Sequence, residues 1–448
     1  MRSRVFLATL FASLTVMAPF LLLFAVPVQP PPVPPIEGSN PPDEIIEKLE
    51  IPLLARAEWR LSQGSRAFAL SSEDLDRDGS PELVVGGDGL NRYTAGMEGQ
   101  ISVWEYDPAS RTLTLDASTN WSDEGTPQVK IVLLEDFDQD GSMEIISLGQ
   151  TRYPGPWAQI RAWTYGRTGI ALKASIKWFT EGYTEVSAAA LGDLDSDGTA
   201  EVITGQTVET SRGDSSSIRV WKWRQGNFSL VWTSEGNGFV SGRMRGLVLL
   251  PSATAGFGLV TAHPWGYLRW DFVPGTYGFT ARDDLAVRLS REEYGGSLVR
   301  TDAPCAGFVS MGTVLELPLT RVVSLWNMSA AVTMEADSNL KETNRTFDFP
   351  AGSDFGTSGI SGVLFTSGYE DLGNRTLAYT QLFSVDGCQL TLRATNSWRH
   401  GFHSWANAVD LVDFDQDGTA EAVSAGTNCP TAGCFVDLRI WSLPPSQT

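Results

Sequence analysis

The chain has 448 residues, with 33 basic and 53 acidic side chains and a formal charge of −20. A field of that sign excludes nucleic acid as a partner and favours either a solvated acidic surface or bound cations. With 44 Gly, 15 Trp and ordinary apolar content, the composition fits an all-β chain with many turns.

In chain order, the first element is the apolar run from Val5 to Val26, preceded by MRSR. It is long enough for a membrane span, which needs about 20 residues, and longer than the roughly 7–15 of an ordinary signal core. Pro19 interrupts it, and no A-x-A cleavage site follows. Residues 1–26 are therefore read as either a signal peptide or a retained signal anchor. Arg2 and Arg4 hold the N-terminus on the cytoplasmic side, and both readings export the remainder. Residues 27–50 open with PVQPPPVPPIEGSNPP, too proline-dense for helix or sheet, and form a linker or stalk.

Four segments then repeat one pattern: "DLDRDGSPELV" from Asp74, "DFDQDGSMEII" from Asp136, "DLDSDGTAEVI" from Asp193 and "DFDQDGTAEAV" from Asp413. Each is flanked by short apolar runs with strand character. A second marker, a strand-like run ending near Trp, recurs at Trp104, Trp163, Trp221, Trp270, Trp326 and Trp441, with Phe383 in a weaker copy. Seven copies at near-constant spacing, each with about four short strands, describe four-stranded antiparallel blades packed in a ring. A phrase A-x-x-x-W follows the Trp strand at Trp121, Trp178 and Trp398. The final copy lacks it, while "ARAEW" (Ala55–Trp59) stands ahead of the first acidic loop. The fold class expected is all-β: a seven-bladed propeller over residues 51–443, closed by an N-terminal strand, with a tail at 444–448.

The acidic loops raise a chemical question, because carboxylates on alternate residues repel one another. In D-x-D-x-D-G-x-x-E, positions 1, 3 and 5 face one concave turn. Gly at 6 permits the bend, position 7 offers its carbonyl, and Glu at 9 completes an oxygen cage. Such a set suits Ca²⁺, whereas Zn²⁺ would want Cys or His. The expected ligands are Asp74, Asp76, Asp78, Ser80 and Glu82; Asp136, Asp138, Asp140, Ser142 and Glu144; Asp193, Asp195, Asp197, Thr199 and Glu201; and Asp413, Asp415, Asp417, Thr419 and Glu421. About four Ca²⁺ ions are expected, one per loop.

These repeats resemble the FG-GAP/VCBS family, the blade unit of integrin α-subunit β-propellers. The resemblance covers about Ile51 to Leu443, with the motif matched in four copies and absent from the three between Trp221 and Phe383. It implies calcium sites on the face opposite the ligand-binding loops, and adhesion as a role.

Other candidates are weaker. Arg212–Asp214 spell RGD in a polar loop, and the three histidines are His263, His400 and His403. Cys429 and Cys434 are spaced to staple a tight loop, while Cys305 and Cys388 are either a second pair or free thiols. Sequons occur at Asn120, Asn227, Asn327, Asn344 and Asn374. No motif of a hydrolase, metalloprotease or nucleotide-binding enzyme is present. The expected function is a non-enzymatic, extracellular, calcium-binding adhesion or ligand-binding propeller. Its partner is a protein or glycan on the loop face, with the membrane engaged through the N-terminal segment if that is retained. The alternatives are a glycan-binding lectin and, third, a polysaccharide-active enzyme.

Overall fold

The computed structural model describes residues 45–443 apart from 61–63, 91–95, 123–124, 153–154, 156, 181, 212, 238–239, 253–255, 289–292, 295–297, 301–307, 315–319, 328–332, 338–362, 372–374 and 387–388. The segment 1–26, the proline run, the tail 444–448, Arg212, Cys305, Cys388, Asn344 and Asn374 fall outside the described residues.

The described chain is all-β, in antiparallel sheets mostly of four strands. Two strands come first, β1 (Ile45–Lys48) and β2 (Leu53–Trp59). The first sheet is β3 (Gly64–Glu73), β4 (Glu82–Leu90), β5 (Met97–Asp107) and β6 (Thr112–Trp121). The second is β7 (Pro127–Glu135), β8 (Glu144–Thr151), β9 (Trp157–Gly166) and β10 (Gly169–Trp178). The third is β11 (Tyr183–Gly192), β12 (Glu201–Thr210), β13 (Gly213–Arg224) and β14 (Asn227–Thr233), with β15 (Val240–Ser241) beside β13. The fourth is β16 (Gly246–Ser252), β17 (Gly256–His263), β18 (Gly266–Val273) and β19 (Gly278–Arg288). In the fifth, β20 (Glu293–Tyr294) and β21 (Leu298–Arg300) both pair β22 (Phe308–Val314), followed by β23 (Thr320–Asn327) and β24 (Thr333–Asp337).

The last sheet has eight strands. It contains β25 (Val363–Asp371), β26 (Thr376–Asp386), β27 (Gln389–His400), β28 (His403–Val412), β29 (Glu421–Cys429) and β30 (Phe435–Trp441), together with β1 and β2. A single parallel pair, Thr376 with His403, joins its two halves. Strand β2 pairs β30, from Leu53 opposite Trp441 to Trp59 opposite Val436. The "ARAEW" phrase, part of β2, thus lies at one edge of the last sheet, beside β30.

One boundary differs from the sequence reading. Residues 45–48 belong to the segment 27–50 assigned to the linker, yet they form β1 and pair β27, Ile45 opposite His400. The reason is long-range: Glu47 accepts from His400 Nε2 at 2.8 Å and from Arg439 at 3.1 Å, which holds the strand to the last sheet.

The core lies in the seams between neighbouring sheets. Second strands such as β4 and β8 are buried along nearly their whole length, with apolar and small residues at the centre and Glu82, Asp88, Glu144 and Gln150 toward the ends. Their glycines admit close approach: a Cβ on Gly87 would lie 1.8 Å from the Arg66 carbonyl oxygen. The A-x-x-x-W residues at Trp121 and Trp178 cross the seams to meet the Trp of the next sheet, and Trp398 meets Trp441 of the other half of the eight-stranded sheet. Ring centroids are 4.7 Å apart for Trp121 with Trp163 and for Trp178 with Trp221, and 5.6 Å for Trp398 with Trp441. Each pair carries a guanidinium over its rings, from Arg161, Arg219 and Arg439 respectively. Phe383 takes the Trp place in β26 and is fully buried. Among the described residues, no helix is long and apolar enough to cross a membrane.

Candidate metal centres

Loops one to three, at 74–82, 136–144 and 193–201, join the first strand of a sheet to the second, and loop four, at 413–421, joins β28 to β29 within the eight-stranded sheet. Two left-handed residues make each turn. Position 4 has φ of 63° at Arg77, 57° at Gln139, 60° at Ser196 and 56° at Gln416. The glycine at position 6 follows at 96°, 93°, 88° and 87°, a region costly for residues with a Cβ.

Within that turn the acids at positions 1, 5 and 9 accept backbone hydrogen bonds. The position-1 carboxylate accepts from the glycine N–H, at 3.0 Å for Asp74 and 2.9 Å for Asp136, Asp193 and Asp413. The position-5 Asp accepts from the N–H of position 7: Ser80 to Asp78 and Ser142 to Asp140 at 2.8 Å, Thr199 to Asp197 at 3.0 Å, Thr419 to Asp417 at 2.7 Å. The Glu at position 9 accepts from the N–H of position 2, with Leu75 to Glu82 and Leu194 to Glu201 at 2.7 Å, Phe137 to Glu144 at 3.0 Å and Phe414 to Glu421 at 3.2 Å.

The result gathers carboxylate oxygens within 4.8 Å of one another. The groups are Asp74, Asp76 and Asp78; Asp136, Asp138 and Glu144; Asp193, Asp195 and Asp197; and Asp413, Asp415 and Asp417. Asp140 stays outside its group, with its side chain half exposed. One oxygen of Asp74 and one of Asp136 (Oδ1 in each) are buried without a hydrogen-bond partner. A buried carboxylate oxygen with no donor is costly unless a cation satisfies it. An all-oxygen set of this kind fits Ca²⁺.

Electrostatics separate the loops into two kinds. In loops one and four, burial and then the neighbouring Asp carboxylates push Glu82 and Glu421 up to about 7, against the pull of their backbone hydrogen bonds. In loops two and three, burial also raises Glu144 and Glu201, but a lysine opposes it. Lys173 Nζ lies 2.5 Å from Asp138 and 2.7 Å from Glu144. Lys222 Nζ lies 2.6 Å from Asp195, 2.7 Å from Asp197 and 2.9 Å from Glu201. Tyr277, from the sheet after loop three, donates to Asp195 at 2.5 Å. Sequence reasoning overlooked these three residues. The only signals were Lys173 just before "ASIKW" and Lys222 just after the Trp of "IRVW".

Each loop is also tied to the next seam. Its position-2 side chain is buried between sheets: Leu75 against Ile145 and Trp163, Phe137 against Phe228 at 5.6 Å, Leu194 against Trp270, and Phe414 against Tyr106 at 4.9 Å.

Residues 136–204 match the FG-GAP-like repeat family. That FG-GAP-like segment begins at the first Asp of loop two and ends in β12 beyond loop three, so it contains both lysine-bearing loops. Two solved structures of Sqt1 from Chaetomium thermophilum are similar in fold. One has TM-score 0.48 and 14% identity over 90% of this chain and 86% of that one; the other has 0.45 and 14% over 84% and 83%. Likeness at that level says nothing of function. No curated protein sequence matches the chain.

The remaining candidates have structural partners. His263 is fully buried, stacked on Trp265 at 5.0 Å, and burial pushes its pKa down to about 4. His400 accepts from Arg56 at 2.7 Å through Nδ1, inside the network that binds β1 and β2 to the last sheet. His403 stacks on Trp405 at 5.5 Å. Of the RGD triplet, Gly213 and Asp214 begin β13 rather than lying in a loop, and Asp214 faces Arg243 at 3.8 Å. Cys429 and Cys434 form a disulfide across the turn from β29 to β30.

Proposed function

We propose that this chain is an exported, calcium-stabilised β-propeller of seven blades, closed by β2, with a non-enzymatic role in adhesion or ligand binding. The observation that carries the reading is the coupling in each acidic loop. The position-9 Glu accepts from the same residue whose side chain fills the seam to the next sheet. The ligands for the ions are Asp74, Asp76, Asp78 and Glu82 and their counterparts in the other three loops. Bound calcium supplies positive charge that neutralises the carboxylates. The protein's own part is to hold those carboxylates together and to transmit the stiffened turn, through Leu75, Phe137, Leu194 and Phe414, into the packing between sheets.

The count of seven rests on five separate sheets plus the two halves of the eight-stranded one, and closure rests on the pairing of β2 with β30. Export is supported by the apolar run at Val5–Val26 and by the disulfide, which suits an oxidising compartment. The partner is an extracellular protein on the loop face opposite the acidic loops, with the membrane engaged through the N-terminal segment if that segment is retained. Thermal melts of the full-length protein with and without chelator test the scaffold reading. A large loss of stability on chelation, restored by Ca²⁺ and poorly by Mg²⁺, supports it. Unchanged melts and no Ca²⁺ uptake would sink it.

Glycan binding is a second reading, favoured by one observation. Trp157 and Phe179, 41% and 49% exposed, pair at 5.5 Å and offer aromatic faces to solvent. A Trp157→Ala variant that loses binding on a glycan array, with an unchanged melt, would favour it.

A further inference from the structure

The four loops are not equivalent, and two slots in each sheet account for the difference. The first slot is the extra residue of a β-bulge in the outer strand, opposite the marker Trp. Register skips Asp116 between Leu115 and Ala117, Lys173 between Leu172 and Ala174, Val231 between Leu230 and Trp232, and Leu54 between Leu53 and Ala55. A bulge re-aims its extra side chain, and at Lys173 that side chain reaches the carboxylates of loop two. The second slot directly follows the marker Trp and holds Glu105, Thr164, Lys222 and Ser442. There Lys222 reaches the carboxylates of loop three.

Two different strands thus deliver one ammonium each to two different cages. At the same slots, loop one has two acids, Glu105 and Asp116, and loop four has only Leu54 and Ser442. This pattern is independent of the acidic motif, which is the same in all four loops.

We infer that Lys173 and Lys222 act as built-in cations that take the place of Ca²⁺ in loops two and three, so that tight calcium binding is confined to loops one and four. The inference rests on the calcium reading above. A lysine contacting two carboxylates (Lys173) or three (Lys222) neutralises only part of their charge, but it is covalently attached and therefore always present. Ca²⁺ must displace it, and displacement leaves a solvated ammonium close to a divalent ion. Loop three keeps its shape without metal through Lys222, and loop two does so through Lys173 apart from Asp136 Oδ1, which still lacks a donor, while loops one and four depend on the ion. Of the two, loop one is the stronger site, because Glu105 and Asp116 add negative charge around it.

Calorimetric titration of Ca²⁺ into chelator-stripped full-length protein tests this. Wild type is expected to take up about two ions tightly, Lys173→Met or Lys222→Met about three, and the double variant about four. The reciprocal Asp116→Lys, which places an ammonium at the bulge slot of loop one, should lose about one ion and does not require a lysine-free cage to fold. Four equivalent tight sites in wild type, with counts and affinities unchanged in every variant, would overturn the inference and leave the calcium reading standing. Absence of calcium uptake from wild type and all variants would overturn both.

Discussion

Gln139, at position 4 of loop two, donates from Nε2 to Oγ1 of Thr199 in loop three at 2.8 Å. The same position links the other loops. Gln416 of loop four donates to the Gly79 carbonyl of loop one, and Arg77 of loop one lies 3.7 Å from Asp136 of loop two. The left-handed backbone at position 4 aims each side chain sideways, so the four loops form a continuous arc. Loop three ends the series, because no acidic loop follows it before Asp413. Removing a solvent-exposed link should cost little, about 0.5–1 kcal/mol. Gln139→Ala is expected to lower stability by that amount in urea denaturation at saturating Ca²⁺, whereas Ser196→Ala should be silent. Equal effects of the two would disprove the arc.

The seam residues should matter far more. Phe137 is buried to 2% exposure against Phe228, and its N–H is held by Glu144. Truncating a buried Phe costs about 3–5 kcal/mol. Phe137→Ala is expected to fall in that range and also to weaken calcium binding at loop two in the Lys173→Met background. A loss below about 1 kcal/mol in denaturant would mean that the seam is not coupled to the loop.

The raised carboxyls of Glu82 and Glu421 make a pH prediction for the metal-free protein. With folded pKa about 7 against about 4.3 when unfolded, the folded state binds more protons between those values. Stability therefore falls as pH rises through 7. His263, depressed to about 4, acts in the opposite direction, but only below the ordinary histidine range near 6.5. The metal-free melting temperature is expected to drop from pH 6.5 to pH 8, with a shallower slope in Glu82→Gln. Saturating Ca²⁺ should reverse the trend, because binding needs the ionised carboxylates. A melting temperature that rises with pH in chelator would contradict the assignment.

Arg439 is fully buried, lies 4.3 Å over Trp398, donates to Asp437 at 2.8 Å and reaches Glu47 of β1. Arg56 of β2 bonds the same Asp437 at 2.6 Å. Removing one member of a buried charge network leaves an uncompensated charge and costs about 3–5 kcal/mol. Arg439→Met is expected to show that loss and to increase proteolytic cleavage ahead of β2, read by mass spectrometry. Cleavage at wild-type rate would argue that the network does not hold the N-terminal strands.

The sequence was most informative where structure is written locally and periodically. Asp74 to Glu82 and its three copies announce their turn because the alternate acids and the glycine lie within nine positions. Trp104 and its counterparts mark a strand because each occupies the same place in a repeating sheet. "ARAEW" could be matched to β30 because its spacing equals that of Trp121 and Trp178, and the Cys429–Cys434 staple needs only a short turn. What tertiary structure alone decided are contacts set by a single shift of register or by a neighbouring sheet. Lys173 enters loop two because a bulge turns it inward, and the letters around it do not distinguish that from an outward lysine. Tyr277 reaches Asp195 from 82 residues away in sequence, and β1 pairs β27 across nearly the whole chain. Motif and period are properties of the chain itself, whereas the direction of a side chain across a seam depends on the geometry of two sheets packed together.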